Sequence, residues 1–171
     1  LKIPVANCST IHVYGNEINL FLREGKTRFT LSYHPSYYEG KIPASLDEYA
    51  PTMVGKLSPL HVSKRAAELY VQSFTDMYGL RAASFRLTGI YGPRQFGGED
   101  HGWVANFAIR TLFERPIKIF GTDKQVRDIL YVKDAAQAFW DWYQAGCPSG
   151  IYNIGGGEKT ATSIHEVLNV L

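Results

Sequence analysis

Segments with helical spacing alternate with short apolar runs along these 171 residues, which predicts an α/β fold with helices layered on a largely parallel sheet. Two stretches carry that prediction. Ser58-Pro59 supplies an N-cap and an N1 proline, the run to Tyr78 keeps helical spacing, and Gly79 closes it. Leu80-Arg-Ala-Ala-Ser-Phe-Arg-Leu87 then reads as a strand. Near the other end the order repeats, with a helix over 135–145 capped by Asp134 and a strand over 150–154.

The remaining elements follow in chain order. An apolar run at the start reads as the end of a buried strand, broken by Val13-Tyr-Gly15. Residues 16–56 carry scattered Gly and Pro and no sustained period, so they read as a long loop with at most short elements. In the helix 58–78, Leu60, Ala67, Val71, Phe74 and Tyr78 form an apolar stripe. After the turn Tyr91-Gly-Pro93, a Gly-rich loop over 96–102 leads into a helix from about Trp103 to Glu114, stopped by Pro116. Short strands are expected over 117–120 and 128–132. In the helix 135–145, Phe139, Trp140 and Tyr143 make an aromatic face expected to pack in the core. Ser163 with Glu166 forms a capping box that opens a last helix.

Composition limits the function classes. Hydrophobic residues make up 45% and charged residues 20%, the balance of a globular protein rather than a disordered one. The net charge of +2 comes from interspersed charges with no basic run, so nucleic acid is not an expected partner. No segment reaches the roughly 20 apolar residues of a membrane span. A cytoplasmic setting with no membrane partner is the default. Cys8 and Cys147 form no metal spacing with the histidines and are expected to be reduced thiols packed as small apolar groups.

The chain opens inside a strand without Met and closes inside a helix, which suggests a piece of a longer protein.

Four constellations resemble the extended short-chain dehydrogenase/reductase family, the NAD-dependent epimerases and dehydratases of sugar nucleotides. They are Ser9-Thr-Ile-His-Val-Tyr-Gly15, Ser58-Pro-Leu-His-Val-Ser-Lys64, Phe85-Arg-Leu-Thr-Gly-Ile-Tyr-Gly-Pro93 and Val126-Arg-Asp-Ile-Leu-Tyr-Val-Lys-Asp134. The stretch 94–107 is most similar to the branch that includes the CDP-tyvelose (CDP-paratose) 2-epimerases. The resemblance implies the C-terminal portion of a doubly wound Rossmann-type parallel sheet plus a small substrate-binding subdomain. Residues 1–92 would belong to the dinucleotide-binding domain and 93–171 mostly to the subdomain, with strand 150–154 returning to the sheet. The implied partners are NAD, a nucleotide-diphosphate sugar and a second copy of the chain in a homodimer, with Val71 and Phe74 of the long helix as contacts.

The same resemblance assigns roles. Thr10 would hydrogen-bond the reacting sugar hydroxyl, where otherwise it would be a turn former. Lys64 would hold the nicotinamide ribose and lower the pKa of the acid/base, where otherwise it would be a solvated helix lysine. The tyrosine expected four residues earlier is replaced by Leu60, which cannot transfer a proton. His61 is the nearest replacement, its near-neutral pKa being suited to the work; Tyr14, Tyr91, Tyr37 and Tyr38 are alternatives. Ile11-His12 stands where the dehydratases carry an Asp-Glu pair, which disfavours elimination of water. Ile90, Tyr91 and Pro93 would line the nicotinamide end. Arg127 would clamp the diphosphate, unless it pairs with Asp128 or Asp134. Arg94, Asn106 and Trp103 are further substrate candidates beside the Gly97-Gly98 loop. No glycine-rich phosphate loop follows the first strand, and Gly155-Gly-Gly157 is not read as one. The pyrophosphate site of NAD would therefore lie upstream of Leu1.

Overall fold

The computed structural model describes residues 3–31 and 46–171. Its elements in chain order are β1 (Val5–Thr10), two 3-10 turns (Ile11–Tyr14 and Glu17–Phe21), β2 (Leu22–Glu24), β3 (Phe29–Leu31), α1 (Pro59–Tyr78), β4 (Ala82–Leu87), β5 (Gly89–Tyr91), α2 (Trp103–Leu112), β6 (Val126–Tyr131), α3 (Val132–Gln144), β7 (Gly150–Ile154), β8 (Ala161–Ser163) and α4 (Ile164–Leu168).

Strands β1, β4 and β7 form a parallel sheet in that order, with Cys8 opposite Phe85 and Phe85 opposite Tyr152. After Leu87 only Thr88 intervenes before β5, which enters a second sheet, parallel to β6 while β6 runs antiparallel to β8. One continuous run of chain therefore ties both sheets together. The core lies between α3 and the first sheet. Phe85 is its centre, with the edges of Phe139 and Trp142 at 4.7 and 5.5 Å and the ring of Tyr152 stacked at 5.6 Å. Each such pair adds about 0.5–1.5 kcal/mol beyond its buried area.

Helix α1 begins and ends where local chemistry dictates: Ser58 Oγ accepts from the His61 N–H, and Gly79 takes the left-handed C-cap. Its orientation matches the expected one only in part: Ala67 and Val71 of the apolar stripe are half-buried, and the other members are exposed. Glu68 is 1% exposed, whereas Leu60, Phe74 and Tyr78 of the apolar stripe are 62%, 51% and 68% exposed. The inward face runs through His61, Lys64, Glu68, Val71 and Thr75 at three- and four-residue steps. What fixes this rotation is an ion pair. Arg86, also 1% exposed, projects from β4 and grips Glu68 with two bonds, Nε to Oε1 at 3.1 Å and Nη2 to Oε2 at 2.9 Å. Ser9 Oγ and Arg65 Nη1 satisfy the remaining lone pairs.

Other expectations also change. In α3 it is Trp142, with Phe139, that enters the core, while Trp140 and Tyr143 stack on each other at the surface. Tyr131 rather than Asp134 is the N-cap of α3, because β6 passes straight into the helix; Asp134 lies in its first turn, where a carboxylate suits the helix dipole. Residues 117–120 form no strand, since β6 already has β5 on one side and β8 on the other. Cys8 is exposed because β1 is paired on one side only among the described residues, while Cys147 is buried. Within 16–56 the hairpin of β2 and β3 docks against the far end of the chain: Arg28 bonds both oxygens of Glu166 and the Ala161 carbonyl, and Ser163 Oγ donates to the Thr27 carbonyl.

Candidate active site

The inward face of α1 delivers its polar groups to the carboxyl end of β1. Lys64 Nζ donates to the Cys8 carbonyl at 2.9 Å, and one turn later Glu68 accepts from Ser9 at 2.5 Å. Thr10 closes the strand and caps the 3-10 turn after it, its Oγ1 accepting from the His12 N–H at 3.3 Å. That bond uses the hydroxyl as an acceptor, so its O–H can still donate. The turn former and the candidate catalytic hydroxyl are thus one arrangement.

His61 comes inward as His12 comes across to meet it. The two rings stack with centroids 4.6 Å apart and planes 16° from parallel. Desolvation, then the neighbouring His61 and Arg127, hold His12 below the ordinary histidine range. Sequence reasoning passed over His12 as a group in its own right. Its position two residues after Thr10 was the available signal.

Tyr14 drops out as a stand-in for the absent tyrosine. It is buried, donates to Asn153 Oδ1 at 2.7 Å and accepts from Arg86 Nη1 at 2.9 Å, and burial pushes its pKa up despite those bonds. Tyr91 lies in β5, its ring 5.7 Å from that of Tyr131, and Ile90 stands opposite Leu130. Pro93 and Arg94 are exposed in the turn that follows, and Arg94 takes φ 67°. Tyr37 and Tyr38 lie outside the described residues.

Arg127 projects from β6 into a cleft of about 140 Å³ that Trp103, Asn106, Phe120 and Gln125 also line. Its only hydrogen bond runs from Nη1 to the Val126 carbonyl, and no carboxylate pairs with it among the described residues. Partial desolvation in the cleft pulls its pKa down. The expected competitor, Asp128, is occupied elsewhere. Its carboxylate accepts from the N–H groups of Gly156 and Gly157 and from the Thr160 hydroxyl at 3.0, 3.3 and 2.8 Å. The glycine triplet is therefore filled by an acid, which leaves no place for a phosphate. Asn106 Nδ2 donates to the Gly97 carbonyl at 3.1 Å and staples the Gly-rich loop to α2. A Cβ on Gly97 would come within 2.5 Å of the Asn106 nitrogen, so only glycine allows that approach.

A larger hollow of about 250 Å³ between α1 and strands β4 and β7 is lined by Glu68, Asp76, Thr75 and Ser84 and contains no cationic group. The Arg127 cleft holds two cationic residues, Arg127 and Lys118, together with Glu99, which pairs with Arg110 and Lys118. Among the described residues no cluster of His, Cys, Asp and Glu could hold a metal ion, and no helix is long and apolar enough to cross a membrane.

The residues present fit one end of NAD. Lys64, at β1, has the donors to hold a ribose hydroxyl, whereas the Gly156 and Gly157 N–H groups are already taken by Asp128 and are not open to a pyrophosphate.

Parallel strands β1, β4 and β7, with α1 packed against β1 and β4, define a Rossmann-like α/β protein. The chain belongs to the NAD dependent epimerase/dehydratase family, whose model matches residues 4–155. It is 29% identical over 97% of its length to CDP-paratose 2-epimerase of Salmonella typhi, covering 50% of that protein. It is 35% identical over 64% of its length to UDP-glucose 4-epimerase of Mycolicibacterium smegmatis, covering 35% of that protein. Among solved structures, UDP-glucose 4-epimerase of Thermus thermophilus in complex with NAD superposes with a TM-score of 0.68 at 31% identity, over 97% of this chain and 46% of that one. The chain spans half or less of the length of these relatives.

Proposed function

We propose that the chain forms the sugar-handling half of an NAD-dependent nucleotide-sugar epimerase that works by transient oxidation of a sugar carbon. The observation that carries this reading is that Lys64 of α1 reaches β1 near its carboxyl end, which Thr10 closes. NAD, when bound, supplies the hydride acceptor and donor. Lys64 holds the ribose hydroxyls and favours the deprotonated form of the acid/base, with Ile90, Tyr91 and Pro93 alongside. Thr10 donates to the reacting sugar oxygen. His61 takes the hydroxyl proton and returns it, in place of the tyrosine whose position Leu60 occupies. Arg127 clamps the diphosphate, with Arg94 and Asn106 at the edge of the same cleft. Residues 93–171 mostly form the substrate-binding subdomain, and the remainder of the sheet and the pyrophosphate loop come from outside these residues.

The protein acts as a cytoplasmic homodimer in this reading. Support comes from the apolar outer face of α1, where Tyr70, Phe74 and Met77 are exposed, and from two thiols that form no disulfide.

Leu60, exposed at the tyrosine's position, favours a second reading: a catalytically silent member that binds a nucleotide sugar without turnover. The test is to incubate the full-length polypeptide with NAD and a nucleotide sugar deuterated at each ring carbon in turn. Scrambling of configuration at one labelled carbon sustains the epimerase. Tight binding with every carbon unchanged establishes the silent form.

A further inference from the structure

One residue touches both the hydroxyl and the imidazole of the reaction proposed above. The His12 N–H donates to Thr10 Oγ1 at 3.3 Å, and the His12 ring stacks on that of His61 with centroids 4.6 Å apart. The backbone of His12 is fixed at both ends. Besides the bond to Thr10, its carbonyl accepts from the Gly15 N–H at 3.1 Å, and Val13 and Tyr14 beside it are buried. The His61 ring has no comparable anchor. Its backbone is set by the first turn of α1, where Ser58 Oγ takes the N–H, but neither imidazole makes a hydrogen bond to a described residue. A ring left free there would exchange between staggered rotamers, each carrying its nitrogens to a different place.

We infer that His12 is a positioning residue for His61, its ring holding the His61 imidazole in a set place relative to Thr10. The inference rests on the reading of His61 as the acid/base and adds to it a second residue that acts through its ring and transfers no proton. Stacked rings meet through their faces, whereas the nitrogen lone pair and the N–H lie in the ring plane. The stack therefore fixes the imidazole and leaves both of its nitrogens for a substrate hydroxyl. A carboxylate partner would hold the ring as well, but it would occupy one nitrogen. Placement matters to the rate, since moving a reacting group by about 1 Å costs on the order of 10²-fold.

The experiment follows the His61 ring protons by NMR in the full-length polypeptide carrying ring-labelled histidine. In the parent they should be shifted upfield by the ring above them. His12→Ala should move them back, whereas His12→Phe, which keeps a ring and loses the nitrogens, should hold them in place. Thr10→Val removes the acceptor of the His12 N–H and should move them part of the way, and Thr10→Ser should not. Unchanged amide resonances over the rest of α1 show that the helix is intact in each variant. The same proteins are then given NAD and UDP-glucose deuterated at each ring carbon in turn. His12→Ala should lower kcat for label exchange by about tenfold or more with KM within about twofold, and His12→Phe should restore kcat to within about threefold of the parent. Resonances that His12→Ala leaves in place, or an exchange rate that it leaves unchanged, overturn the inference. So does a rate that falls equally in His12→Ala and His12→Phe, which would make His12 a proton carrier in its own right. If the parent exchanges no label, the acid/base reading fails with this probe, while a His61 ring released by His12→Ala and kept by His12→Phe still sustains the hold of His12 upon it.

Discussion

Lys64 and Glu68 lie one turn apart on α1 and reach adjacent residues of the same strand, Lys64 through its ammonium to the Cys8 carbonyl and Glu68 through its carboxylate to the Ser9 hydroxyl. One helix face is therefore registered against one strand end by two polar contacts, and Arg86 locks the register from beneath. Placing a functional lysine depends on a buried carboxylate that does no chemistry.

Substituting that carboxylate should be costly. Glu68→Gln leaves the Arg86 guanidinium buried without its counter-charge, and breaking a buried pair in this way removes about 3 kcal/mol of stability. Urea unfolding should show the midpoint falling with the slope unchanged. Arg65→Gln, at the more exposed end of the same cluster, should cost about 1 kcal/mol or less.

Acid should release the hairpin of β2 and β3 before it unfolds the sheet. Arg28, with help from the Ser163 N–H and Thr27, holds the Glu166 carboxyl down to about 2. Because this folded-state pKa lies below the unfolded value of about 4.3, the contribution is complete above the unfolded pKa and is lost as pH falls toward 2. Amide exchange monitored through that range should show protection at Gly25 and Phe29, whose N–H groups bond the Arg28 and Lys124 carbonyls, failing while β4 stays protected. Glu166→Gln should remove the pH dependence of that step.

How much of this could be read from the sequence follows from how local each cause is. Ser58-Pro59 and Gly79 bound α1 correctly because a cap acts within one turn, and the Ser163 and Glu166 capping box is intact for the same reason. The inward face of α1 was hidden because the partner that rotates Glu68 inward lies 18 residues away on a strand. The hairpin was hidden because its strands are three residues long and its anchor, Arg28 to Glu166, spans 138 positions. At the site, the family resemblance implied Thr10, Lys64 and Arg127 and left His61 as the nearest stand-in for the missing tyrosine, while the meeting of His12 with His61 joins segments 49 positions apart that only the fold brings together.

Gly15 should not tolerate a side chain. It has φ 81° and forms a bridge with Val54, and a Cβ there would lie 1.8 Å from the Val54 carbonyl oxygen, which is backbone and cannot swing aside. Gly15→Ala should cost roughly 2 kcal/mol or more from the left-handed conformation and the clash together. Thermal unfolding measures the loss. Gly146→Ala is the control, with φ 84° and nothing within 4 Å of the added carbon, so it should cost only about 1 kcal/mol.

The outer face of α1 should control association. Tyr70, Phe74 and Met77 recur at helical spacing on the exposed side, and Phe74 lies 5.3 Å from Tyr78. Phe74→Glu places a charge in that apolar stripe, so sedimentation velocity should show a dimer for the parent chain and a monomer for the variant. Stability should change little at a concentration where the parent is already monomeric, because Phe74 is not part of the core.

Leu60→Tyr is the most informative single change. Leu60 stands one turn before Lys64 and is 62% exposed, so a phenol can be added there without disturbing the core. With Lys64 directed to the end of β1, the added hydroxyl would regain a proton-transfer role. Positioned acid/base catalysis contributes about 10² to 10⁴-fold. If His61 already performs that task, Leu60→Tyr should alter the exchange rate by less than about tenfold and His61→Phe should lower it by about 10² or more. In a silent member Leu60→Tyr should switch exchange on while His61→Phe does nothing. Deuterium transfer measured for the parent and both variants therefore assigns the proton to a residue.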